Sequence, residues 1–131
     1  MIQTYLAVMA GGAVGVGLRM FITEWVTQRW GGNFPFGTIL VNISGCLIIG
    51  LFAGLVGWAG GNSSGPAPLI RQVVMIGLLG GYTTFSSFSL QTFELYLNGY
   101  PGYALANVFL TLGLCLMGTW FGLSLGNFFR T

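Results

Sequence analysis

Four long apolar stretches, separated by short polar or glycine-rich segments, make up most of the chain. Each is long enough to cross about 30 Å of hydrocarbon as an α-helix that rises about 1.5 Å per residue. The stretches run over residues 5–25, 36–58, 69–97 and 103–128. Almost nothing is left over, so the pattern predicts an all-α membrane protein with one transmembrane domain, residues 1–131, and four transmembrane helices.

The third stretch contains an unusual polar interruption. Gly80 and Gly81 are adjacent, and six hydroxyl side chains follow within residues 82–89. A helix break in lipid frees backbone carbonyls, and it is tolerated only where protein, water or an ion satisfies them. We therefore predict a third helix that is broken at mid-membrane, over residues 80–84, around a polar site. The alternative is that the small residues only allow close helix packing.

Composition excludes several other classes of protein. Charged residues make up 5% of the chain, against about 25% in soluble domains. The net charge of +2 is too small to suggest a nucleic-acid partner. Cys46 and Cys115 lie inside two spans without zinc or redox spacing, and no nucleophile–base pair or metal cluster indicates an enzyme.

The arginines give little preference for one orientation in the membrane. Arg71 and Arg130 flank the spans on one side, and Arg29 lies on the other. This bias is too weak to set the topology by the positive-inside rule. We therefore expect insertion in both orientations.

Two polar residues inside spans each have two interpretations. Arg19 lies in the first span, where a charge marks function by default, but it is close enough to the helix end to reach the interface instead. Asn42 lies in the second span. Its amide can hold helices together or offer its N–H groups to an anion.

The fourth span carries a regular polar stripe. The polar positions recur every four residues, which places them on one helix face; they are Asn107, Thr111, Cys115 and Thr119. Hydroxyls in a helix can also bond their own backbone. The strict register favours a track that lines a pore.

Glycines at the same spacing predict close packing faces in three spans: Gly11 and Gly15, Gly50 and Gly54, and Gly118, Gly122 and Gly126.

Phe85 and Phe88 follow the interruption and share one helix face. Such a pair most often contacts lipid or core. The edge of an aromatic ring is electropositive, whereas its face is negative. In a dehydrated constriction an anion can therefore lie against the ring edges.

The motifs of the first three spans resemble the Fluc/CrcB family of fluoride channels. They are Gly11-Gly12-x-x-Gly15-x-x-x-Arg19, Gly37-Thr38-x-x-x-Asn42-x-x-Gly45 and Gly80-Gly81-x-Thr83-Thr84-Phe85-Ser86-x-Phe88-Ser89. Three positions depart from the family pattern: Cys115 replaces the usual hydroxyl, Gln91 stands where a glutamate often follows, and Asn107 stands where other members carry an aromatic residue or a histidine.

The resemblance implies an antiparallel, dual-topology homodimer in the lipid bilayer of the plasma membrane, the inner membrane in bacteria. It implies passive export of fluoride, which protects the cell against fluoride toxicity. It also implies a structural Na⁺ that is not transported and is held by the backbone carbonyls of Gly80 and Thr83. The predicted fluoride pore comprises Arg19, Asn42, Phe85, Phe88, Ser89, Thr111, Cys115 and Thr119.

A small dual-topology multidrug exporter is the alternative function. Proton-coupled export of cations needs a carboxylate deep in the membrane. Glu24 and Glu94 both lie near span ends. We therefore favour a channel.

Overall fold

The computed structural model describes residues 1–57 and 68–130. Helices account for nearly all of these residues. They are α1 (Ile2–Trp30), α2 (Phe36–Leu55), α3 (Pro68–Arg71), a π-helix (Gln72–Leu79), α4 (Gly80–Tyr82), α5 (Phe85–Leu97) and α6 (Pro101–Arg130). In the described part of the chain, four helical stretches are long and apolar enough to cross a membrane: Ile2–Trp30, Phe36–Leu55, Pro68–Leu97 and Pro101–Arg130.

The four predicted spans are thus present, with somewhat different ends. α1 continues to Trp30 rather than ending near Trp25, because polar residues at the membrane edge can extend a helix into the interface. α2 ends at Leu55. The predicted end at Trp58 and most of the predicted linker, residues 58–67, lie outside the described residues.

A glycine seam joins α2 to α6. A Cβ built on Gly54 would lie 2.5 Å from the Leu123 carbonyl oxygen, and one on Gly126 would lie 2.8 Å from the Leu55 nitrogen. Such distances are possible only without side chains, so the two backbones are in direct contact. At the other end of the seam Gly118 faces Ile43. Later residues of α2 contact later residues of α6, so the two helices run parallel.

A second seam joins α1 to residues 72–82, which include the π-helix and α4. A Cβ on Gly77 would lie 2.6 Å from the Val8 carbonyl oxygen, and one on Gly81 would lie 2.6 Å from that of Gly12. These helices also run parallel. The sequence-based prediction that the glycines create packing faces is confirmed in both seams.

The helical conformation is interrupted at two residues, Thr83 and Thr84. Both have extended backbone angles, with ψ of 161° at Thr83 and φ of −154° at Thr84. Gly80 and Gly81 are helical. The predicted extent of the interruption, residues 80–84, was therefore too wide: Gly81 serves close contact with α1, and the threonines carry the change in direction. The π-helix before them was not predicted.

Candidate functional site

The interrupted segment is fastened to α2 by Asn42. The Asn42 Nδ2 group donates to the Thr84 carbonyl at 3.0 Å, and the Thr84 N–H donates to Asn42 Oδ1 at 2.8 Å. Both residues are buried. In a continuous α-helix the Thr84 N–H would donate to the Gly80 carbonyl. Asn42 replaces that bond, so the amide connects helices and holds the extended residues in place.

Arg19 is tied to the same segment. Its Nη1 donates to the Thr83 carbonyl at 3.2 Å, and the side chain is half-buried. A carbonyl freed by the interruption thus receives a charged donor from α1. The guanidinium therefore lies beside the interruption instead of reaching for the helix end.

Thr84 also starts the next helix. Its Oγ1 accepts from the Ser87 N–H at 3.2 Å, which is a side-chain N-cap for α5. Thr84 Oγ1 also lies within hydrogen-bond distance of the Ser86 and Ser87 hydroxyls. Part of the hydroxyl-rich run therefore serves to restart the helix.

An open cavity of about 260 Å³ lies between α2, the interruption and α6. Its lining brings together five of the predicted pore residues: Asn42, Phe85, Phe88, Thr111 and Cys115. Thr83, Thr84, Cys46, Leu112 and Leu116 complete the lining. No carboxylate or arginine is among these residues. The predicted pore residues Arg19, Ser89 and Thr119 do not line this cavity, and their roles stay predictions.

The two phenylalanines differ sharply in burial. Phe88 is only 6% exposed, whereas Phe85 is 72% exposed although it lines the same cavity. Their ring centroids are 5.3 Å apart, and the rings are tilted by 59°. Rings tilted in this way do not stack face to face.

The polar stripe of α6 divides into different environments. Thr111 and Cys115 line the cavity. Asn107 is 1% exposed, and its Nδ2 donates to the Thr92 hydroxyl at 2.9 Å, which connects α6 to α5. The Thr111 hydroxyl in turn donates to Asn107 Oδ1 at 3.3 Å. The stripe therefore has two roles: it lines a cavity and it joins helices. Regular spacing in the sequence could not show which residue has which role.

A larger cavity of about 600 Å³ lies at the far end of α5, and our sequence analysis did not anticipate it. Gln91 and Glu94 of α5 face Thr27 of α1 and the segment 32–35 across it. The Gln91 Oε1 atom is buried without a hydrogen-bond partner. The residues that line this vestibule come from different parts of the chain and have no regular spacing in the sequence. No sequence pattern could therefore have predicted it.

The small cavity can offer an anion only a few donors. One Asn42 N–H is used by Thr84, which leaves the second N–H of the same Nδ2 group. Cys115 and Cys46, which both line the cavity, add weak thiol donors, and the edge of an aromatic ring carries positive potential. Among the described residues no group of three or more His, Cys, Asp or Glu side chains could hold a metal ion.

The chain is similar to known proteins over most of its length. The family model described as "CrcB-like protein, Camphor Resistance (CrcB)" matches residues 6–123. A protein of Rhodospirillum rubrum named fluoride-specific ion channel FluC is 48% identical over 120 residues, which cover 92% of each chain. Proteins with the same name from Methylocella silvestris and Opitutus terrae are 45% and 46% identical over 118 residues, or 90% of this chain and 88% of each relative. The chain therefore belongs to the CrcB family.

Proposed function

We propose that this chain is a fluoride-selective ion channel of the plasma membrane that lets fluoride leave the cell passively. The relatives named as fluoride-specific channels match it over almost its whole length. The observation that carries the proposal is the lining of the small cavity: the Asn42 amide, two phenylalanines and Thr111 meet there without a carboxylate. The protein is a multi-pass membrane protein and not an enzyme.

Fluoride is small and strongly hydrated, so a selective path must replace its water with other donors. The free Asn42 N–H and the edges of Phe85 and Phe88 are the groups that the cavity supplies. The bonds from Asn42 to Thr84 set the orientation of this amide, since both of its polar atoms are engaged with one backbone residue. The donor is thus preorganised and does not have to reorient when an ion arrives.

A channel is favoured over a proton-coupled exporter because no carboxylate lies at the site. Glu24 is exposed near the end of α1, and Glu94 lines the vestibule at the end of α5. Neither lines the cavity beside the interruption. A titratable group there would be needed to exchange a proton for a cation.

The direct test uses liposomes that contain the purified protein and are loaded with potassium fluoride or potassium chloride. After valinomycin is added, an ion-selective electrode follows anion efflux. We expect rapid fluoride efflux and chloride retention. Equal efflux of both anions, or proton-dependent transport of an organic cation, would contradict the proposal.

We further propose that two copies assemble as an antiparallel homodimer. Phe85 is largely exposed in a single chain although it borders the cavity. A second copy would cover this ring and close the open side of the cavity. The weak arginine bias supports insertion of the chain in both orientations.

Dual topology is tested with two C-terminal reporters, one active only in the cytoplasm and one only outside it. Both fusions should give comparable signals. A signal from one side only would rule out an antiparallel dimer built from this chain alone.

We propose, in addition, a third helix that is broken at mid-membrane and a structural Na⁺ at the interruption. Thr84 donates to Asn42, so the Gly80 carbonyl lacks its α-helical donor. The Thr83 carbonyl accepts from Arg19, and its second lone pair is available. Carbonyl oxygens suit a hard cation, so these two residues fit the ion. Two chains related by a twofold axis would supply four carbonyl oxygens, whose partial negative charges would coordinate the cation.

Sodium is tested by replacing it exhaustively with N-methyl-D-glucamine. We expect lower dimer stability and lower fluoride flux, and we expect sodium to be detected in the native protein by elemental analysis. Undiminished flux and dimer stability in protein that contains no sodium would refute the structural ion, while leaving the proposed fluoride conduction intact.

A further inference from the structure

Two arginines converge on the turn that follows α2. Arg71 Nη2 donates to the Val56 carbonyl at 3.4 Å. Gly57, the next residue, has a φ of +69°, and a Cβ built on it would lie 2.5 Å from Arg130 Nη1. The two guanidinium groups therefore lie against adjacent residues of one turn, although they come from the start of the third span and the end of the fourth.

No carboxylate side chain is available to balance these charges. The sequence contains only two acidic residues, Glu24 and Glu94. Glu94 and the end of α1 border the vestibule. Arg71 lies toward the opposite end, because Val73, two residues on, contacts Gly11 in the first half of α1. The arginine pair therefore forms a cationic cluster that both glutamates are too distant to neutralise.

Contacts with the C-terminal end of α2 use only a small part of the N–H donors of Arg71 and Arg130. A guanidinium has five N–H donors, and the one Arg71 bond is long for an N–H···O contact. The Arg71 Nε atom is buried and has no acceptor among the described residues. Arg71 is otherwise only half-buried and Arg130 is exposed, so their other N–H donors are accessible to an anion.

We propose that Arg71 and Arg130 bind a phosphate group at this end of the helical bundle. Planar guanidinium groups match phosphate oxygens with paired hydrogen bonds. The cluster lies where apolar helices begin and end, which is the depth of lipid headgroups in a bilayer. A phospholipid headgroup and free phosphate share this chemistry, and the experiment separates them.

Native mass spectrometry of the purified protein with phosphatidylglycerol provides the test. Arg71→Gln and Arg130→Gln should each weaken binding about tenfold, as expected for loss of a charge-assisted hydrogen bond. Arg29→Gln is the matched control, because it removes the same charge from an exposed position at the other end. Displacement of the lipid by inorganic phosphate would show that the phosphate alone suffices; no displacement would identify the intact headgroup as the ligand.

Two results would overturn the proposal: unchanged lipid binding in both glutamine variants, or an equal loss in Arg29→Gln. If a glutamine variant fails to fold, Arg71→Lys provides the test, since it keeps the positive charge but removes the planar guanidinium group. Lipid binding should then weaken several-fold, and unchanged binding would refute paired guanidinium recognition. Fluoride flux is not the readout, so the test is independent of the proposed channel function.

Discussion

The two halves of the third span, on either side of Thr83 and Thr84, are held by different forces. Residues 72–82 contact α1 backbone to backbone through glycines, as Gly77 and Gly81 show. α5 is held by side-chain hydrogen bonds, from Asn42 to Thr84 and from Asn107 to Thr92. The first half approaches α1 through backbone contacts at its glycines, whereas the second is positioned by side-chain hydrogen bonds.

This difference distinguishes a tightly packed scaffold, formed by residues 72–82 and α1, from the site around the interruption. A glycine seam tolerates almost no added volume, because the opposing atoms are backbone and cannot move aside. A hydrogen-bonded half keeps space between helices, and that space is the cavity lined by Phe85, Phe88 and Thr111. We therefore expect substitutions before the interruption to disturb folding and substitutions around it to disturb conduction.

The largest effect is expected from Gly15→Leu in the scaffold seam. A Cβ at this position would overlap the Leu78 carbonyl oxygen and lie 2.8 Å from the Tyr82 nitrogen. The cost should exceed the ~1–3 kcal/mol usual for overpacking, and size-exclusion chromatography should show no folded protein. Gly17→Leu is the control, because nothing lies within 4 Å of a Cβ there. Normal folding of Gly15→Leu would show that this seam can open.

Asn42→Asp should abolish fluoride flux and also lower stability. The carboxylate repels an anion and offers no N–H, and the buried Thr84 carbonyl loses its donor. That loss is expected to cost ~1–3 kcal/mol of unfolding free energy, which thermal unfolding in detergent would detect. Gln3→Glu makes the same amide-to-carboxylate change at an exposed position near the start of α1 and should leave flux and stability unchanged. Fluoride flux by Asn42→Asp would remove this amide from the conduction path.

Phe85→Ile and Phe88→Ile should each reduce fluoride flux more than about tenfold. Raising the barrier to conduction by ~1.4 kcal/mol is enough to slow flux tenfold. Isoleucine retains bulk but has no ring edge, so folding and association should persist. Phe93→Ile on the exposed side of α5 is the control. Liposome efflux and chromatography measure the two properties. Normal flux in both pore variants would show that ring edges play no part.

Cys115→Ser should have the smallest effect. A hydroxyl is a stronger donor than a thiol, and a gain of ~0.5 kcal/mol would raise flux about twofold. Cys115→Ala removes the donor and should lower flux, so the pair of variants brackets the wild type. Equal rates for serine and alanine would indicate that Cys115 only fills space in the cavity wall.

Several features could be predicted from local pattern alone. Span number, the glycine packing faces and the approximate place of the interruption follow from hydropathy and spacing, because these depend on chain length and side-chain volume. The roles of individual polar residues could not be predicted in this way. Asn107 and Thr111 share one stripe, yet Asn107 is committed to Thr92 while Thr111 borders the cavity.

The sequence by itself determined that this is a four-span membrane protein that resembles the CrcB family, with an interruption within residues 80–84 of the third span, since composition, span length and motifs are local properties. Only the tertiary structure decided which atoms satisfy that interruption. Asn42 and Arg19 are far from Thr83 and Thr84 in sequence, and their contacts depend on how the helices pack. The sequence already placed Arg71 and Arg130 on one side of the spans, but only helix packing brought both of them to the turn at Val56 and Gly57.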